Sequence, residues 1–351
     1  MKSVFEFRIG AGAPLAAALA LAASGAFADT HYTAVIPDGP GGLAPGISSL
    51  GANGIATGSV ATAGADDTVR SVSFKDQAYK TFVPLGRKQS FAQGVSSAGD
   101  VCGEMFKPGS SLQESYLRHA DGTTEQVQVT ERGYVRNTDA IAVNASGTVV
   151  GHYMNDVFQY IAFSWKDGVA TPLPTTLGGA QSQITAINDS GLMVGAAEVS
   201  PENYRAVAWT AEGRLFELGA LSADGRANAT GVSADGTIVG IANAHVAFHA
   251  FSWNSGVMTD LGTLPGAVWS QAFAINAAGN IVGSSGDAAG NAHAVLWRDG
   301  RPHDLNAMTT LPAGVTMSNA FGIADNGTIV AHGTTSNGSQ SVSLVLTPDS
   351  N

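Results

Sequence analysis

From His31 onward the chain is a succession of short runs in which apolar and polar residues alternate, each run bounded by glycine or a turn-forming residue. Phe251, Ser252, Trp253 and Phe273, Ala274, Ile275 are typical. Such runs have the period of two expected of half-buried strands and are too short for helices. Between the first two runs of a unit stands Asn or Ser, then two small or polar residues, then Gly. The Asn or Ser side chain can accept a backbone N–H and Gly tolerates positive φ, so this segment reads as a hairpin turn.

The turn recurs. AINDSGLMVG ends at Gly195, GVSADGTIVG at Gly240 and AINAAGNIVG at Gly283. Weaker copies end at Gly58, Gly103, Gly151 and Ala331, so successive ends lie 45, 48, 44, 45, 43 and 48 residues apart. A second motif keeps the same period: AFSW, AVAW, AFSW and AVLW place Trp165, Trp209, Trp253 and Trp297 at intervals of 44. Phe74, Arg118 and Leu346 hold the matching position in the first, second and seventh units. Seven units of four strands each predict an all-β, seven-bladed β-propeller with four-stranded antiparallel blades. Small residues on the first strand suit crowding near an axis, and Phe and Trp on the third suit the gap where blades splay apart.

The ends of the chain sharpen this. After the seventh turn only SVSLVL remains, ending at Leu346, while HYTAVI, from His31 to Ile36, stands alone before the first unit. Adding the N-terminal strand to the C-terminal blade would close the ring and remove its open edge. An open β-solenoid is the competing architecture.

Composition adds compartment and excludes partners. Lys2 and Arg8 precede an uncharged run from Ile9 to Ala23 and the triplet Ala26, Phe27, Ala28, the layout of a signal peptide over residues 1–28. Residues 29–351 are then a single propeller domain, exported to the periplasm or the extracellular space, monomeric and not inserted in a membrane. An uncleaved apolar anchor is the alternative, although the run is shorter than the ~20 residues a spanning helix needs. The net charge is -11, and without Lys2, Glu6 and Arg8 it is (17 − 2) − (28 − 1) = -12. An acidic chain lacking a basic stripe is a poor nucleic-acid binder. Cys102, the single cysteine, sits in an apolar VCG run and reads as a buried small residue.

With these motifs in place, the chain resembles the bacterial extracellular HAF-repeat proteins. His249, Ala250 and Phe251 complete the His-Ala-Phe triplet, and His293, Ala294 and Val295 nearly do. The Asn-x-x-Gly-x-x-Val-Gly turn and the LGTLPG run from Leu261 to Gly266 also match. Units one, two and seven depart from the pattern in lacking the Trp. The resemblance implies an exported repeat protein with no established general activity, and it supplies no catalytic residues.

Candidate chemistry is placed where loops vary. The turns after the first and third strands are uniform, so their face is expected to be structural. The opposite face, around the channel mouth, carries variable connections. One first-strand position near that mouth reads Gly46, Phe91, Asp139, Gln183, Asn228, Gln271 and Asn319. Asp139, Gln183, Asn228, Gln271 and Asn319 could grip a polar ligand, or each could bond a neighbouring blade's backbone. Trp269, outside the Trp register and assigned to a blade-to-blade connection, is either an exposed stacking platform or a lid over the core. Asp156, Glu202, Tyr204, Arg205, Arg226 and Asp287 are further polar groups on the variable loops.

No metal site or cofactor is expected. His249 and His293 share one repeat position and His152 and His332 another, which separates them on different blades and suggests strand histidines bonded to backbone. Asp189, Asp235 and Asp325 read as turn residues rather than calcium ligands, and the Asn-x-Ser/Thr sequons at Asn144, Asn188, Asn228, Asn326 and Asn337 follow largely from the turn code. No GxSxG elbow or phosphate loop is present. The leading expectation is a non-catalytic binding or scaffold module for a polymer, glycan or protein. The alternatives are a propeller lyase or hydrolase using Asp139 or His152, and a purely structural surface protein.

Overall fold

The computed structural model describes residues 30–38, 45–61, 68–75, 78–87, 89–106, 113–175, 177–244, 246–336, 338 and 340–349. The proposed signal segment and Asn337 lie outside the described residues. The described chain forms a seven-bladed β-propeller of antiparallel sheets, and its one helical turn among the described residues is Pro84–Gly86. In blades 1 to 6 the four strands follow chain order from the axis outwards. The innermost strands are Gly46–Leu50, Gln89–Val95, Thr138–Val143, Ser182–Ile187, Ala227–Val232, Trp269–Ile275 and, in blade 7, Val315–Ile323.

Blade 7 is completed as the orphan strand predicted. Tyr32–Val35 pairs antiparallel with Ser341–Pro348, placing Ala34 opposite Leu346. A further two-residue strand, Thr309–Thr310, which the repeat does not mark, pairs parallel with the outer edge of Tyr32–Val35.

The Trp position is one structural slot. Trp165, Trp209, Trp253 and Trp297 face Val149, Met193, Ile238 and Ile281 across the second and third strands. Phe74, Arg118 and Leu346 sit in the same register, opposite Ala56, Val101 and Ile329. Arg118 fits an aromatic slot because its guanidinium lies over the Phe82 ring, 4.7 Å from the centroid. The core is correspondingly divided among the interfaces between blades. Leu218 of blade 4, for example, clusters with Ala229, Ile238 and Phe251 of blade 5, and Trp209 and Trp297 are fully buried, each worth about 1.5–3 kcal/mol of apolar burial. Their indole N–H groups donate to the carbonyls of Pro174 and Leu261 on the preceding blade, both at 3.0 Å.

Every innermost strand carries a β-bulge at one repeat position: Ser48, Gln93, Ile141, Thr185, Thr230, Phe273 and Phe321. A bulge leaves its extra residue outside the ladder and bends the strand. Just before it, the carbonyl of Gln271 lies where a Cβ on Gly283 would be, and Gly58, Gly103, Gly151, Gly195 and Gly240 meet the same crowding. That close approach is why the unit ends in Val-Gly. Blade 7 alone has Ala331 there, and alone it has a second bulge in its innermost pair, between Met317 and Asn319.

Candidate functional site

The channel has two ends of different construction. At the lower end, where the innermost strands turn back, side chains are consumed by a repeated bonding code. The Asn144 Oδ1 accepts the N–H groups of Ser146 (3.2 Å) and Thr148 (3.0 Å), as the turn chemistry predicts. Its amide nitrogen then donates to the Asn188 carbonyl on the next blade, at 3.2 Å. Asn188 repeats this toward Ser233 (2.9 Å) and Asn276 toward Ala324 (3.1 Å). Asp189 and Asp325 accept the N–H groups of Ala145 and Ala277 from the preceding blade, both at 2.8 Å. Asp235 instead caps its own turn, accepting the Thr237 N–H at 3.1 Å. All three aspartates are turn residues, and the first two also join blades.

At the upper mouth the proposed ring of polar residues is real as a register: Asp139, Gln183, Asn228, Gln271 and Asn319 pair with His152, Ala196, Ile241, Ser284 and His332 on the second strands. Gln183, Asn228, Gln271 and Asn319 form no side-chain hydrogen bond among the described residues, so none of them serves to bind the next blade's backbone. The amide oxygens of Asn228 and Asn319 are buried without a partner. Neighbouring blades are joined instead by serines one residue earlier: Ser182 and Ser270 accept the N–H groups of Ala162 and Ala250, both at 2.9 Å.

Asp139 differs from the four amides. Its Oδ2 lies 2.9 Å from His152 Nε2, and its Oδ1 accepts from the Gln113 amide. Glu104, on blade 2, accepts from Gln93 Nε2 at 3.2 Å. Burial, reinforced by the negative charge of Asp139, pushes the Glu104 carboxyl above the usual range. The His152 ring stands edge-on to Tyr160 at 5.0 Å, and its Nδ1 is buried without a partner. Phe91, the blade 2 member of the ring, packs edge-on against Phe106 at 6.0 Å.

Trp269 is placed otherwise than expected: it opens the innermost strand of blade 6, opposite Gly286, with its half-buried indole against the Gly286 backbone. The histidines also differ from expectation. Of His152, His249, His293 and His332, only His332 faces a backbone carbonyl, that of Ile47 at 3.3 Å, and burial holds its ring below the usual imidazole range. His249 and His293 pair through Nδ1 with Asp260 (2.8 Å) and Asp304 (2.7 Å) on the fourth strand. Those aspartates in turn accept the N–H groups of Gly262 (2.8 Å) and Asn306 (2.9 Å), which explains His-Ala-Phe and Asp-Leu recurring together. The Cys102 thiol, fully buried, is pushed up to about 12 and is inert.

One feature of the mouth escaped the sequence. The loop Asn155–Gln159 of blade 3 and the loop Asp287–Asn291 of blade 6 are built alike. In each, the first side chain accepts the N–H groups of the third and fifth residues, at 3.0 and 3.0 Å for Asn155 and at 2.9 and 3.0 Å for Asp287. The fourth residue is left-handed in both, Gly290 at φ 89° and Phe158 at φ 60°. A bulky residue is strained in that conformation by about 1–2 kcal/mol, yet Phe158 is 81% exposed and so gains nothing from the core. The Arg136 guanidinium bridges Asp156 of this loop to Glu131, bringing alongside a small hairpin whose Tyr134 is exposed.

Glu202 lies in the connection into the third strand of blade 4, but Tyr204 and Arg205 are not loop residues: they stand in that strand, Asn203–Trp209, opposite Glu198 and Ala197, and Arg205 approaches Glu217 at 3.4 Å. Arg226 is exposed just before the blade 5 innermost strand.

Compared with known proteins, the chain matches no family profile and no curated sequence. Solved structures do match in fold. A prolyl endopeptidase structure is 12% identical with a TM-score of 0.55, over 92% of this chain and 51% of that one. A puromycin-hydrolyzing peptidase of Mycobacterium tuberculosis is 7% identical with a TM-score of 0.50, over 85% and 52%. The β-propeller domain of the Trilobed protease from Pyrococcus furiosus is 8% identical with a TM-score of 0.38, over 74% and 97%. This chain spans about half the length of each of the first two. At these identities the likeness to the first two is one of fold.

Proposed function

We propose that the protein is an exported, non-catalytic binding propeller of the HAF-repeat type that takes a polar polymer, glycan or protein segment at its upper mouth. The observation that carries this reading is the pair of buried, unpartnered amide oxygens on Asn228 and Asn319, in a ring where Gln183 and Gln271 are equally uncommitted. Buried polar groups are nearly always bonded, so a mouth holding two free ones beside two uncommitted amides is suited to a ligand that supplies donors. The strained, exposed Phe158 supports the same end of the molecule, because strain held at no benefit to the core is a mark of a functional surface. The test is a glycan and peptide array probed with the purified protein and with Gln271→Ala and Asn228→Ala variants. Loss of a hit in both variants supports the mouth, and hits unchanged in both reject it.

A second reading, a lyase or hydrolase, rests on the contact of His152 with Asp139 beside a Glu104 whose carboxyl burial holds above its usual range. Those groups have the makings of a base and an acid. Propellers host unrelated activities, so neighbours named as peptidases do not choose between the readings. Turnover of a polysaccharide or peptide that disappears in Asp139→Asn would favour the enzyme.

A further inference from the structure

The lower end of the channel holds a cavity of about 400 Å³ to which all seven blades contribute. This volume is within the range of small-molecule sites. Its walls are the bulged residues, the small residues that follow them, and the turns. The uniform turns made this end look purely structural, yet what they leave facing the cavity has a definite chemical character.

The hydroxyl protons of three bulged residues there are already in use. The Ser48 hydroxyl donates to the Ala92 carbonyl of the next blade, and the Thr185 and Thr230 hydroxyls donate to Ala229 and Ala272, both at 2.8 Å. The amide nitrogen of Gln93 is held by Glu104, and those of Asn188 and Asn276 by carbonyls of the following blades. A hydroxyl whose proton is engaged offers only lone pairs to a visitor. The lining includes the carboxylates Asp189 and Asp325 and no Lys, Arg or His. Beside these acceptors, blades 6 and 7 place the half-buried rings of Phe273 and Phe321 in the same wall. Oxygen lone pairs and carboxylates repel an anion, and the electron-rich faces of aromatic rings attract a cation. Among the described residues no three His, Cys, Asp or Glu side chains converge as a metal ion would require, and the two carboxylates with the aromatic rings favour an organic cation over a neutral donor.

We propose that this lower cavity is a binding site for a small organic ammonium ion, with Phe273 and Phe321 contacting the cation and Asp189 and Asp325 providing the attracting field. The site shares none of the ring residues and lies toward the turn end of the innermost strands, with the Gln93 bond to Glu104 running between it and the mouth.

Titration calorimetry with choline, and with 3,3-dimethylbutan-1-ol as its uncharged counterpart of the same shape, tests it on the purified full chain. Choline is expected to bind at least about tenfold more tightly than the alcohol, and Phe273→Leu to weaken choline about threefold to thirtyfold. Asp325→Asn, which retains an oxygen for the Ala277 N–H, serves as a second variant that preserves the turn and is expected to weaken choline as well. Gln271→Ala at the upper mouth is expected to leave choline binding unchanged, so failure here and failure of the mouth are read separately. Absence of choline binding, equal binding of the alcohol, or binding indifferent to both Phe273→Leu and Asp325→Asn would overturn the proposal.

Discussion

The two ends of the channel carry similar residues to opposite purposes. Asn188 at the lower end and Asn228 at the upper mouth are both strand-end asparagines on the axis side of adjacent blades. The first bonds its own turn and the next blade through every group it has, with Leu192 N–H at 3.0 Å and Ser233 carbonyl at 2.9 Å. The second has a buried amide oxygen and no partner. Within the mouth itself a second difference separates Asp287–Asn291, relaxed around Gly290, from Asn155–Gln159, strained around Phe158. Where a residue type serves the repeat it is fully bonded, and where it departs from the repeat's needs it is left available.

Variants break this contrast in a definite order. The largest effect belongs to the frame both ends share: Gly283→Ala drives a methyl into the Gln271 carbonyl and is expected to cost about 3 kcal/mol in urea unfolding. Next comes Asn188→Ala, which strands a buried N–H and a carbonyl and should cost about 2 kcal/mol. Phe158→Gly should act in the other direction, raising stability by about 1 kcal/mol while weakening any ligand held at the mouth. A differential-scanning melt of this variant beside wild type reads the first half, and the array reads the second.

The smallest effect is one of pH. Glu104 has a folded pKa raised above its unfolded value, first by burial and then by Asp139. The folded state therefore binds the proton more tightly, and this contribution is fully present below the unfolded value of about 4.3 and is lost as pH rises through the folded one. Glu104→Gln, uncharged throughout, should gain on wild type in melting temperature from about pH 4 to neutrality. A constant difference across that range would show that Glu104 is not held in this way.

Much of this was legible from the residues. The period, the Trp slot and the closing strand follow from repetition, and even Arg118 and Leu346 fall in the slot that counting assigns them. The His-Asp pairs were within reach too, since His249 to Asp260 and His293 to Asp304 are each 11 residues apart. Aligning Asn155–Gln159 on Asp287–Asn291 would have set Phe158 on Gly290 and exposed the strain. The bulges were not legible, because alternation of apolar and polar residues does not mark the extra residue in a strand. Without them the reason for Val-Gly, the lining of the lower cavity and the placement of Trp269 on a strand stay hidden. The bonding state of the ring amides was equally out of reach, because it depends on which neighbouring groups are already taken.

The central claim is that the turn asparagines of the lower end are spent on the fold and the amides of the upper mouth are not, and equilibrium urea unfolding of Asn188→Ala and Asn228→Ala, measured side by side with wild type, tests it most directly. The expected result is a loss of about 2 kcal/mol for Asn188→Ala and a change within about 0.5 kcal/mol, or a gain, for Asn228→Ala. Equal losses in the two variants would contradict it, because Asn228 would then be bonded within the fold and not free for a ligand.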